Sequence, residues 1–154
     1  MDVRRATVED KDFVTRVYTS PDIWDRVSDD FTPARDVIDL TDALRNPNVY
    51  ILIPDNIGVF MYHPLNTVLY QTHASVLPEF RGKKALEGGR ATGMWMYQNT
   101  FCQKVICMIP HRNFQAMAFA RALGFHKEGV LKKAMMKHGE LVDLHCYGIE
   151  RGDT

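Results

Sequence analysis

The stretch Val76-Leu77-Pro78-Glu79-Phe80-Arg81-Gly82-Lys83-Lys84-Ala85-Leu86 decides how the chain is read. Its first residues close an apolar strand, residues 78–84 form a basic loop, and a helix follows toward Thr100. Backbone N–H groups in such a loop and in the first turn of the helix have no partner inside the helix. They converge where the helix dipole favours negative charge, which makes a natural seat for a pyrophosphate. Arg81, Lys83 and Lys84 add positive charge, and Gly82 permits a backbone conformation that other residues resist. A solvated basic turn has the same composition, so the loop alone does not prove a binding site. Gly88, Gly89 and Gly93 weaken the following helix. They leave two starts open: soon after the loop, or at Arg90 with the loop running on to Gly89.

Upstream, residues 2–6 are predicted as a strand. Thr7 is placed to cap a helix over residues 8–19, with Asp10 three residues on and Phe13, Val14, Val17 and Tyr18 at helical spacing. Ser20-Pro21 breaks that helix, and a short helical piece over 23–27 follows. Thr32-Pro33 reads as an N-cap with proline at the first helical position, starting a helix to about Leu44 with Val37, Leu40, Thr41 and Leu44 on one side. Strands over 49–53, 57–62 and 67–77, joined by short turns, predict an antiparallel meander.

Downstream, a strand over 104–109 precedes a helix over 113–123. Ala116, Met117, Ala120 and Leu123 form its buried stripe and Gly124 stops it. Strands over 125–134 and 140–149 form a final pair around Lys137-His138-Gly139. The central strand–loop–helix–strand unit implies a right-handed parallel crossover. The expected class is therefore α/β (α+β): a mixed, mainly antiparallel sheet of about seven strands flanked by about four helices, in one domain over residues 1–154.

Composition bounds the function. Nineteen Lys and Arg balance nineteen Asp and Glu, which gives no whole-molecule attraction for nucleic acid or an acidic membrane. Cys102, Cys107 and Cys146 lack paired short spacing and read as buried free thiols in a reducing cytosol. The charged N-terminal residues and the lack of a long apolar run predict a soluble, cytoplasmic protein. No metal site is expected, because His126, His138 and His145 have no ligand-like arrangement with the cysteines.

Two separated segments carry a family resemblance. Val76-Leu77-Pro78-Glu79-Phe80-Arg81-Gly82-Lys83 resembles the end of the fourth strand in GNAT N-acetyltransferases, whose following loop, Gln/Arg-x-x-Gly-x-Gly/Ala, binds the CoA pyrophosphate. Arg81 matches the first position, Lys84 stands where the first Gly is usual, and Leu86 where Gly or Ala is usual. Asn113-Phe114-Gln115-Ala116, Gly124-Phe125 with Glu128-Gly129-Val130-Leu131, and Gly139–Asp143 with Tyr147 beyond resemble the family's C-terminal half. They are closest to the ribosomal-protein N-terminal acetyltransferase branch, and short proteins of this pattern also resemble GNAT-like proteins of tailed phages, which would place this one in a host cytoplasm.

The resemblance implies acetyl-CoA as cosubstrate and transfer to a primary amine, on a small molecule or a protein, by direct attack in a ternary complex. The protein is expected as monomer or homodimer. By the resemblance, Val76, Leu77, Arg81, Gly82, Lys83, Lys84, Ala85, Leu86 and Asn113 bind the cosubstrate, although Asn113 reads equally as a plain N-cap. Val76 or Leu77 is the expected N–H donor to the thioester carbonyl. The family's catalytic Tyr, Ser and Glu positions fall on Ala120, Ala116 and Met108, all apolar. His73 and His111 are then candidate bases and Tyr147 a candidate acid. The alternative is a GNAT-fold binding or structural protein without turnover, such as a component of a phage particle. The acceptor would be read by the early helices and the last strand pair.

Overall fold

In the computed structural model, which describes residues 1–153, the strands are β1 (Val3–Arg5), β2 (Tyr50–Pro54), β3 (Gly58–Pro64), β4 (Leu69–Val76), β5 (Lys104–Pro110), β6 (His126–Lys137) and β7 (Glu140–Glu150). They form one seven-stranded sheet in the order β1-β2-β3-β4-β5-β7-β6. Every neighbouring pair is antiparallel except β4 and β5. That parallel pair has three bridges, Leu69↔Lys104, Tyr70↔Val105 and Gln71↔Ile106. The helices are α1 (Lys11–Thr19), α2 (Pro21–Val27), α3 (Thr41–Arg45), α4 (Lys83–Asn99) and α5 (Phe114–Ala122).

The two faces of the sheet bury different helices because strand side chains alternate. On one face Ile51, Ile53 and Val59 pack with Val14, Val17, Tyr18 and Ile23 of α1 and α2. On the other, Leu52, Phe60, Tyr62 and Val105 pack with Met96 and Tyr97 of α4, while Ile109 and Tyr147 pack with Met117 and Ala120 of α5. Gly88 and Gly89 let α4 lie close to its neighbours: a β-carbon there would come within 2.9 Å of Ile57 and 2.8 Å of Leu123 respectively. Helix α4 begins at Lys83, which decides between the two starts that the glycines left open.

Thr7 and Asp10 form the expected capping box, although the first turn, Val8–Asp10, is 3-10 and α1 proper begins at Lys11. The helix expected from Thr32-Pro33 to Leu44 is largely absent; only Thr41–Arg45 is helical. Local side-chain bonds capture the backbone instead. Asp29 Oδ1 accepts from the amide of Phe31 and the hydroxyl of Thr32, and Asp39 Oδ1 accepts from both the amide and hydroxyl of Thr41. Such bonds compete directly with helix formation. The apolar side fails too, since Val37 is 65% exposed.

Strand β6 runs on to Lys137 rather than ending near Ala134, with register shifts between Lys127 and Gly129 and between Leu131 and Met135. Lys133 sits at φ 50°, and its amide donates to Asp143 Oδ1 at 2.9 Å, so the late Asp pins the irregular stretch. The hairpin tip is tied to the segment after α2: the amides of His138 and Gly139 donate to Asp30 at 2.8 Å, and Lys137 Nζ donates to the carbonyl of Ser28 at 2.5 Å.

At Gly58, the start of β3, an added β-carbon would sit 2.3 Å from the backbone oxygen of Ser75 and 2.8 Å from Val76 Cα. Gly58→Ala should therefore push the end of β4 away and destabilise the fold by about 2 kcal/mol or more, read as a lower urea midpoint at unchanged slope. An unshifted midpoint would show that β4 yields freely there.

Candidate acyl-CoA site

Beyond Gln71 and Ile106, β4 and β5 share no bridge. β4 stays paired with β3 out to Val76↔Gly58, and β5 with β7 out to Pro110↔Leu144. Each strand is thus held on its outer side and freed on its inner side. The gap opens into a cleft of about 610 Å³.

Register assigns the backbone groups that face the gap. The amide of Leu77 donates to the carbonyl of Ile57 at 3.0 Å, so that amide is committed to the β3 side. In an antiparallel ladder these directions alternate. The N–H groups of Thr72, Ala74 and Val76 therefore point toward the β5 side. Of the two donors considered from sequence, Val76 has the amide aimed into the cleft.

The loop after β4 supplies the next donors. Pro78–Phe80 makes a 3-10 turn, and Gly82 caps α4 at φ 86°, ψ −131°. No atom lies within 4 Å of a β-carbon placed on Gly82, so glycine is needed there for its backbone angle and not for space. The amide of Arg81 is spent on Pro78 (3.4 Å) and that of Leu86 on Gly82 (3.1 Å). The amides of Gly82, Lys83, Lys84 and Ala85, at the mouth of α4, have no protein partner among the described residues. Arg81, Gly82 and Ala85 line the cleft. Lys83 and Lys84 stand exposed beside it, Lys84 with its ammonium 5.3 Å from the Phe80 ring, and Leu86 is half-buried off the wall.

Asn113 also lines the cleft. Its Oδ1 accepts from the amide of Ala116 at 3.2 Å, making it the N-cap of α5 and leaving its side-chain NH₂ without a protein partner. Met108, Ala116 and Ala120, the apolar residues that the sequence resemblance set at catalytic positions, all lie on the cleft wall.

The three side chains singled out for proton transfer part company. His73 lines the cleft. The residue keeps exposed surface, yet the atoms packed around the ring desolvate it, and with the neighbouring His63 they hold its pKa down at about 4. The Nε2 atoms of His63 and His73 are 3.2 Å apart in stacked rings, so one donates and the other accepts. His111 is off the wall, its Nδ1 3.1 Å from Nε2 of His145. Tyr147 is buried beneath α5, its hydroxyl accepting from Arg121 at 3.1 Å, and it too is off the wall.

Sequence reasoning passed over Ser75 and Arg26. Ser75 is 2% exposed, lines the cleft, and has a buried hydroxyl with no hydrogen-bond partner. A signal was present: Ser75 shares a strand face with His73 and immediately precedes the cleft-facing amide of Val76. Arg26 lines the cleft from α2 with Ile23 and Val27, and Met135 lines it from β6. No group of three or more His, Cys, Asp or Glu residues that could hold a metal ion occurs among the described residues, and no helix among them is long and apolar enough to cross a membrane.

The depressed pKa of His73 carries a pH signature. Between about pH 6.5 and pH 4 the unfolded chain binds a proton that the folded chain refuses, so stability is complete above that window and is lost as pH falls through it. His73→Asn should flatten the fall in Tm across that window in scanning calorimetry. A slope identical to the wild type would show that the imidazole titrates normally.

Comparison with solved structures places this architecture. A spermidine N-acetyltransferase from Vibrio cholerae, solved in complex with CoA and spermine, superposes with a TM-score of 0.81 at 15% identity, covering 99% of this chain and 96% of that one. A ribosomal-protein-S5-alanine acetyltransferase from Vibrio fischeri gives 0.77 at 17% identity, covering 98% and 93%. A probable GNAT-family acetyltransferase from Chromobacterium violaceum gives 0.79 at 16% identity, covering 98% and 83%. The fold is therefore the GNAT fold. No match is found among curated protein sequences. The family model that matches covers residues 41–154, from α3 through the cleft walls built by β4, α4, β5 and α5 but not the α2 residues, and the chain belongs to the family described as "Protein of unknown function (DUF2824)".

Proposed function

We propose that the protein is an acetyl-CoA-dependent N-acetyltransferase that moves the acetyl group to a primary amine within a ternary complex. One observation carries this reading: the gap between β4 and β5 opens directly onto unpartnered amides at the start of α4. The amides of Gly82, Lys83, Lys84 and Ala85 take the pyrophosphate oxygens, and Arg81, Lys83 and Lys84 neutralise its charge. The inner edge of β4 receives the extended pantetheine arm, and the free side-chain NH₂ of Asn113 contributes a donor from α5.

Acetyl-CoA supplies an activated acyl group: the amine nitrogen bonds to the carbonyl carbon, the C–S bond breaks, and the thiolate leaves with the sulfur's electron pair. The Val76 N–H donates to the carbonyl oxygen as negative charge builds there. His73, neutral above about pH 4, accepts a hydrogen bond from the incoming amine and passes its proton to water; its low pKa makes it a weak base. Apolar walls at Met108, Ala116 and Ala120 leave positioning as the main source of rate. Ser75 lies on the acceptor side of β4, where its unpartnered hydroxyl can orient the amine.

Acetyl-CoA should raise the Tm, and S-acetylpantetheine, which lacks the pyrophosphate, should bind about 100-fold more weakly by calorimetry, as expected when several charge-assisted hydrogen bonds are lost together. Equal affinities would remove the phosphate seat. Val76→Pro deletes an amide that has no partner in the sheet, so the fold should tolerate it while kcat falls about 100-fold or more and acetyl-CoA affinity stays close to wild type. Unchanged turnover in Val76→Pro would displace the acyl oxygen from this amide. Binding of acetyl-CoA without turnover of any amine would leave a CoA-binding module.

A further inference from the structure

The acceptor side of the cleft has a charge pattern that selects among amines. The side chains on this face of the sheet come from Ile23, Arg26 and Val27 of α2, His73 and Ser75 of β4, and Met135 of β6. None of the residues lining the cleft is acidic. Of the carboxylates near Arg26 in sequence, Asp30 accepts both amides of the hairpin turn, Asp29 accepts from Phe31 and Thr32, and Asp25 pairs with Lys137 and His138, while Asp22, one turn earlier on α2, is exposed and does not line the cleft. Arg26 itself has no carboxylate within ion-pair distance among the described residues. The ties from Asp30 and Lys137 fix the hairpin against the end of α2, whose Arg26 lines the same cleft as Met135 of β6.

A polycationic acceptor would enter a cleft with no carboxylate to receive its second charge and with an unpaired guanidinium to repel it. An amine bearing an anion would find the reverse: a planar fork of donors at the rim and an apolar wall beneath it. We propose that the acceptor is a primary amine carrying a carboxylate on an apolar body, and that Arg26 binds that carboxylate. This rests on the acyl-transfer reading above and narrows it to a substrate class.

The test measures CoA release at fixed acetyl-CoA with leucine against leucinamide, 6-aminohexanoate against 6-aminohexanamide, and spermidine. In at least one pair the carboxylate should exceed its amide in kcat/KM by about tenfold, the scale of one charged hydrogen bond, with spermidine below both. Arg26→Gln should collapse that ratio toward one through KM, and Arg26→Lys should keep part of it, while calorimetric affinity for acetyl-CoA is unchanged in both. Preference for the amides or for spermidine overturns the proposal, as does an Arg26→Gln effect equal on both members of a pair. Failure of acetyl-CoA to bind at all sinks the acyl-transfer reading instead. If acetyl-CoA binds and no amine turns over, the same pairs are compared by saturation-transfer NMR on the CoA-loaded protein, and the absence of a carboxylate preference there overturns the proposal equally.

Discussion

The divergence of β4 from β5 after three parallel bridges is the constraint on which the rest of the architecture depends. Unpaired backbone donors inside a sheet are costly, on the order of 1–3 kcal/mol each when shielded from water. The protein tolerates them because each strand has a long antiparallel partner on its far side, β3 for one and β7 for the other. The cores diverge with the strands. Tyr97 and Met96 of α4 pack in the cluster that holds Leu52, Phe60, Tyr62 and Val105, whereas Met117 and Ala120 of α5 pack with Ile109 and Tyr147. The cleft is the seam between these two packing units, and its inner edge displays a row of amides aimed at whatever lies in the gap.

The far edge of the sheet is shaped by a different device. A long hairpin, β6 and β7, is bent by an irregular stretch at Lys133 that Asp143 secures, and the amide of Lys133 draws the pKa of that carboxylate below its ordinary range. At the tip, Asp30 receives two backbone amides and its own pKa is likewise lowered, with the Gly139 amide first among the causes. Two carboxylates that a count of charges would assign to the solvated surface therefore fix backbone geometry.

Much of the architecture was legible because it rests on local rules. Thr7 and Asp10 announced the first helical turn, Gly124 ended α5, and apolar runs joined by short turns marked the meander. Residues 32–44 were misread for an equally local reason: Thr32-Pro33 looks like a helix start, but Asp29 and Asp39 offer the backbone nearer partners, and no core lies beneath Val37. The candidate site was legible only in part. His111 and Tyr147 have suitable chemistry, yet one is paired with His145 and the other is covered by α5. Ser75 and Arg26 carry no motif, and nothing in their local sequence separates them from ordinary strand and helix residues.

The sequence by itself determined which segments form strands and helices and where a loop with free amides meets a helix, because these follow from spacing and from the chemistry of a few adjacent residues. Only the tertiary structure decided which face each side chain presents and which amides remain unpaired. Those depend on register, and register is fixed by partners far away in the chain: Ile57 takes the amide of Leu77 and so turns that of Val76 toward the gap. The same holds for the hairpin tip, which is held by contacts such as Asp30 with Gly139, spanning 109 residues.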